Sequence, residues 1–211
     1  VYLPDISKMI AVITGDIINS RALPEEWIDT LKGALTHLFT KKSTWEIFRG
    51  DSFQIELNAE DALLNAIYIK ACIKTLKKAD VRMGIGIGKK SVNSAKVTEA
   101  NGEAFIHSGF AFDTLRTNKV NMAFQTPWPS FNDDINLLVK LALITMDSWG
   151  QISAEMVKYA IENKDTKQDK IAKISGRSQS SVSEALKRAH FAELMELENK
   201  YRAQMINLIK K

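Results

Sequence analysis

Two short stretches hold residues able to do chemistry at the ends of apolar runs. "AVITGDIINSR" closes one such run on Gly15-Asp16 and follows it with Asn19, Ser20 and Arg21. "WEIFRGDSFQIEL" repeats the device with Gly50-Asp51. A single Gly-Asp at a strand end reads as a turn, because Asp bonds nearby backbone and Gly accepts positive φ. Two carboxylates brought together repel unless a cation lies between them. Mg²⁺ is commonly held by one or two carboxylates and by phosphate oxygens. Asp16 and Asp51 are therefore candidate metal ligands. Asn19, Ser20 and Arg21, with the start of the helix that follows, offer donors to a nucleotide or another phosphate.

A second chemistry is written in residues 168 to 189, "QDKIAKISGRSQSSVSEALKRA". The pattern is that of a helix-turn-helix. Ala172 is small where a second helix would cross, Gly176 suits a left-handed turn, and Val182 is β-branched where it would face the first helix. Ser178 is a good N-cap for the second helix. Gln179, Ser180, Ser181, Ser183, Lys187 and Arg188 then fall outward, with Arg177 in the turn. Such residues reach base edges and phosphates. The segment resembles the helix-turn-helix of sigma-factor-like and response-regulator-like DNA-binding domains. A helical pair used for packing or oligomerisation is the alternative.

Charge agrees with the division. The net +4 lies in residues 151 to 211, with 12 Lys+Arg against 8 Asp+Glu, while the preceding residues balance at 17 each. That favours a polyanionic partner for the last third, a mildly basic helical surface being the plain alternative. The 211 residues are 45% apolar and 26% charged, ordinary for a globular chain of one or two domains. No apolar run reaches the roughly 18 residues of a membrane span, and no secretory pattern is present. A chain beginning on Val1 reads as trimmed at its start. Cys72 alone excludes a disulfide framework, and three scattered histidines (His37, His107, His190) do not suit structural zinc. His107 reads as a semi-buried helix residue. The expectation is a cytoplasmic bacterial protein.

The elements that would position these residues follow from hydrophobic period. Strands are predicted over 9–15, 45–48, 53–57 and 81–88, with a short last strand over 120–124, and helices from Pro24, over 60–78 and over 102–116. In "VRMGIGIG", Val81, Met83, Ile85 and Ile87 line one face, and Arg82, Gly84, Gly86 and Gly88 the other. Glycines on one face imply close approach by another backbone, a helix or a partner subunit. The order β-α-β-β-α-β is the ferredoxin-like arrangement. It would run the first two strands parallel with the third between them, bringing Asp16 and Asp51 to one sheet edge. "TPWPS", 126–130, is predicted as a linker. Helices follow over 132–148, 152–163, 168–175 and from 179 to about 208. Leu194, Leu197, Tyr201, Met205 and Leu208 form an apolar seam, for packing on helix 132–148 or for a dimer.

Two resemblances attach to these residues. "VITGDIINS", "FRGDSF" and "VRMGIGIG" resemble the catalytic core of class III adenylate and guanylate cyclases. That resemblance implies Asp16 and Asp51 holding two metal ions and a nucleotide triphosphate. The Asn and Arg that cyclases carry on the helix after the fourth strand fall here on Phe105 and Gly109, and no Lys/Asp pair for a purine is present. Cyclisation of a nucleotide is therefore not expected, and no catalytic residue is assigned. Closer is the resemblance to the SatD family, carried by Gly15-Asp16-Ile17 with Ser20-Arg21, Gly50-Asp51 with Phe53-Gln54, Gly84-Ile85-Gly86, and Gly102-Glu103-Ala104-Phe105.

The expectation is an α+β protein: a ferredoxin-like, cyclase-like domain over 1–125, the linker, and an all-α helix-turn-helix domain over 131–211. Its expected role is a homodimeric DNA-binding transcriptional regulator whose first domain senses a nucleotide with Mg²⁺. The alternatives are an enzyme acting on nucleotide triphosphates through Asp16 and Asp51, or a scaffold.

Overall fold

The structure, a computed structural model, describes residues 9–39, 44–92, 94, 96–164 and 166–210. The expected first domain's residues 1–8 lie outside them. The elements are β1 (Met9–Ile18), α1 (Glu26–Leu38), β2 (Trp45–Phe48), β3 (Ser52–Asn58), α2 (Ala62–Lys74), β4 (Asp80–Val92), β5 (Asn101–Gly102), α3 (Glu103–Asn118) and β6 (Met122–Gln125). Then come α4 (Pro129–Met146), α5 (Gln151–Glu162), α6 (Gln168–Ser175), α7 (Gln179–Arg188) and α8 (Phe191–Ile209). The fold is mixed α/β.

The sheet runs β2-β3-β1-β4, with β5 and β6 on the outer side of β4. β3 is antiparallel to both β1 and β2, so those two run parallel. Only β6 pairs in parallel, with β4, among the described strands. β1 is longer than its apolar run suggests: it passes through Gly15-Asp16, where Asp16 stands between Ser52 of β3 and Arg82 of β4. An acidic residue disfavours a strand interior, but the opposite charge directly across the ladder compensates. β4 likewise continues through Lys89 and Lys90, and Lys90 Nζ reaches Glu56 at 2.6 Å.

One sheet face is apolar, with Ile13, Phe53, Ile55, Val81, Met83 and Ile85 fully buried. Helix α2 covers it, and α1 and α5 pack on α2 in turn. That explains why α2 is apolar nearly all round. On the other face lies the glycine stripe. A Cβ on Gly86 would stand 2.2 Å from the carbonyl oxygen of Ala104 and from the amide of Ser108, both in α3. The close visitor is the chain's own helix, so this stripe is not a surface for a second subunit.

The C-terminal helices pack into the same apolar cluster as the sheet. The TPWPS stretch is a tight corner rather than an extended linker. Pro129 already begins α4, as Pro suits a first helical turn. Asn132 clamps Thr126, accepting from its amide at 2.8 Å and donating to its carbonyl at 2.9 Å. Left-handed His190 (φ 52°) separates α7 from α8, so α8 is a new helix. Leu194, Tyr201 and Met205 of α8 are buried, and the Tyr201 hydroxyl donates to the Ala59 carbonyl at 2.6 Å. The seam is thus largely spent inside the molecule. A second tie is ionic: the fully buried ammonium of Lys70 in α2 meets Asp80 at 2.6 Å and Asp147, just past α4, at 2.7 Å. Among the described residues no helix is long and apolar enough to cross a membrane.

Candidate ligand cleft and nucleic-acid face

Asp16 and Asp51 come from neighbouring backbone: the Ile17 amide donates to the Asp51 carbonyl at 3.2 Å. Their side chains have separate partners. The Arg82 guanidinium takes both oxygens of Asp16, Nε donating at 2.9 Å to Oδ1 while a second nitrogen meets Oδ2. This bidentate geometry is the strong form of the pair. Asp51 sits in the β2–β3 turn, where Arg49 and Gly50 both have positive φ, and accepts from the Ser20 hydroxyl. Ser20 opens the short 3-10 turn Ser20–Ala22, after left-handed Asn19, and Arg21 is exposed beside it. Of the expected phosphate donors, Ser20 is therefore engaged with Asp51.

The cyclase resemblance calls for two metal ions at this carboxylate pair. The residues do not fit that role in this arrangement: an organic cation already neutralises Asp16, and Asp51 is hydrogen-bonded. No group of three or more His, Cys, Asp or Glu able to hold a metal occurs among the described residues.

Beside this edge, on the α3 side of the sheet, opens a cleft of about 570 Å³. Thr14, Ser52 and Gln54 form its polar floor, Phe48 and Arg49 one wall, and Gly109, Phe112 and Asp113 of α3 the other. The floor is fixed: Gln54 donates to the Thr14 hydroxyl at 3.2 Å, and that hydroxyl lies 3.0 Å from the one of buried Ser108. A Cβ on Gly109 would meet nothing within 4 Å, so a missing side chain holds this part open. Phe105 is turned away and packs on Ile10 and Val12. A neighbouring hollow of about 370 Å³ includes Arg82, Asp113 and Arg116. Aromatic walls and a hydroxyl and amide floor suit a flat, polar molecule, and across the two hollows Arg49, Arg82 and Arg116 outnumber the one carboxylate, Asp113, that lines both. Cys72 offers no nucleophile: it is buried in α2, and that burial pushes its thiol up to about 12.

Sequence reasoning singles out Asp16 and Asp51, neither of which lines the cleft, and gives no site role to Arg82, Phe48, Arg49 or Phe112. The alternation in "FQIEL" signals the polar floor. The Arg82 pairing follows from strand register, which period alone does not give.

At the far end of the chain, α6 and α7 meet through a turn whose Gly176 has φ 64°. The Ser178 hydroxyl caps α7 by accepting from the Ser181 amide at 3.2 Å. Ala172, Val182, Ala185 and Leu186 are buried between the helices and α5. Gln179, Ser180, Ser183, Lys187 and Arg188 are exposed, and Ser181 is half-buried. Arg177, expected to face outward, instead pairs with Glu155 of α5 at 3.2 Å. Its position at the turn brings it within reach of α5, which the local motif does not reveal.

No curated protein matches this chain. A model of the SatD family matches residues 9–207, which takes in the sheet, the cleft and the helices through most of α8. On that match, which includes every one of the Gly-Asp and Gly-Ile-Gly signatures, the chain belongs to the SatD family.

Proposed function

We propose that the protein is a DNA-binding transcriptional regulator in which α7 reads DNA and the cleft beside α3 takes an anionic, nucleotide-like ligand. The observation that carries the reading is the division of α7. Its apolar residues are spent against α5 and α6, while Gln179, Ser180, Ser183, Lys187 and Arg188 are left to solvent on a segment with net positive charge. An N-capped helix at a Gly-containing turn, with short polar residues in its first turn and cations in its last, fits entry into a major groove. Gln179, Ser180 and Ser183 would face bases, and Lys187 and Arg188 phosphates. One such module buries too little surface for tight specific binding, which argues for a dimer on a two-fold site.

The strand order β2-β3-β1-β4 supports a ferredoxin-like, cyclase-related reading of the sheet. The Arg82–Asp16 pair favours a ligand sensor over a metal-dependent enzyme, because Mg²⁺ would have to displace the guanidinium. A ligand anion competing for Arg82 would loosen the strand edge instead, and α3, packed on that sheet, would feel the change.

The test is fluorescence anisotropy of the intact protein on duplex DNA over a salt series. Lys187→Ala with Arg188→Ala should weaken binding to all sequences and reduce the salt slope by about one for each phosphate left without its cation. Absence of affinity at low salt, with and without added nucleotides, would overturn the DNA reading.

A further inference from the structure

Helix α4 carries two apolar faces. Ile135, Val139, Leu143 and Met146 are buried in the core. Leu137, Leu141 and Ile144, at helical spacing on another side, are 60%, 56% and 73% exposed. Single exposed leucines are ordinary, but a row of three on one helix marks a contact surface. The row stands as a ridge between two grooves. On the α8 side is a groove of about 380 Å³, lined by Leu138, Ala142, Leu194 and Leu197 and bordered by Glu193. On the α3 and β6 side is another, bordered by Lys140.

We infer that a second copy of this chain docks here, each copy's Leu137–Leu141–Ile144 ridge seated in the other's α4–α8 groove. A ridge beside a groove is self-complementary under a two-fold axis that runs along α4 between them, since that rotation exchanges the two. The same rotation exchanges the flanks. Lys140, on the α3 side of one copy, then meets Glu193, on the α8 side of the other, and the pair occurs twice. Both side chains are exposed; Lys140 forms no salt bridge among the described residues, and Glu193 stands 3.9 Å from the His190 ring at the start of its own helix. Opposite charges at the two flanks are what this symmetry requires, and they favour a second copy over an unrelated apolar partner. The inference deepens the dimeric reading above. Its readout contains no DNA, so either can fail without the other.

Sedimentation velocity of the full chain, up to about 100 μM, tests it. The native protein should dimerise, and Leu141→Asp should be monomeric with an unchanged circular dichroism spectrum, as expected for an exposed position. Lys140→Glu and Glu193→Lys should each weaken the dimer by about threefold to tenfold, from two flanking pairs per dimer. The double variant Lys140→Glu with Glu193→Lys should recover most of the native affinity. A native chain that stays monomeric would overturn the inference, as would a dimer that Leu141→Asp leaves intact. Failure of the double exchange to recover affinity would overturn the two-fold arrangement.

Discussion

Gly15-Asp16 and Gly50-Asp51 have the same letters and sit within one backbone hydrogen bond of each other, yet different forces select them. Gly15 lies inside a strand with ordinary extended backbone, and it is glycine for want of space: a Cβ would stand 2.4 Å from the Phe53 ring and 2.8 Å from the Arg82 carbonyl oxygen. Gly50 has open space around it and is glycine because its φ is +90°. Asp16 is held by a cation across the ladder, and Asp51 by a hydroxyl across a turn. A repeated dipeptide is therefore no proof of a repeated function. The first Gly-Asp belongs to packing and ion pairing, the second to chain reversal.

Substitutions can break or sharpen this contrast. The largest effect is expected from Asp16→Ala, which leaves the mostly buried Arg82 guanidinium unpaired and should cost about 2–3 kcal/mol in urea unfolding. Adding Arg82→Gln should return part of that loss, whereas the same second change should do nothing for Asp51→Ala. Next is Gly15→Ala, where steric crowding in a buried strand should cost about 2 kcal/mol. Gly50→Ala should cost about 1 kcal/mol, from left-handed backbone strain alone, and Gly50→Asn should be tolerated better than Gly15→Asn. Equal losses at the two glycines would erase the distinction between crowding and conformation. The smallest change is expected from Asp51→Ala, about 0.5–1 kcal/mol for one partly exposed hydrogen bond.

The features legible in the sequence are those carried by neighbours along the chain. Gly84, Gly86 and Gly88 alternate with Met83, Ile85 and Ile87, so the two faces of β4 can be read from period alone. Gly176 and Ser178 mark the turn before α7 by their own conformational preferences. The strand at Gly15-Asp16 reads too short because the stabilising charge lies on β4, remote in sequence. The cleft is largely illegible because Phe48 and Phe112 become its walls only when α3 settles on the glycine stripe. Lys70 gives a faint cue, a cation within an apolar helix, but which acid of the helical half reaches it, Asp147, depends on the corner at Thr126.

That corner bears on how such a chain can be inherited. Lys70 belongs to the first half of the molecule, and one of its two acids, Asp147, belongs to the second. An exchange of genes at the proline-rich joint would supply a carboxylate at that place only where the donor carries one. Any other donor would leave the buried ammonium with Asp80 alone, one of the two acids that now meet it. Shuffling of the two halves would thereby favour donors that carry an acid at the matching position.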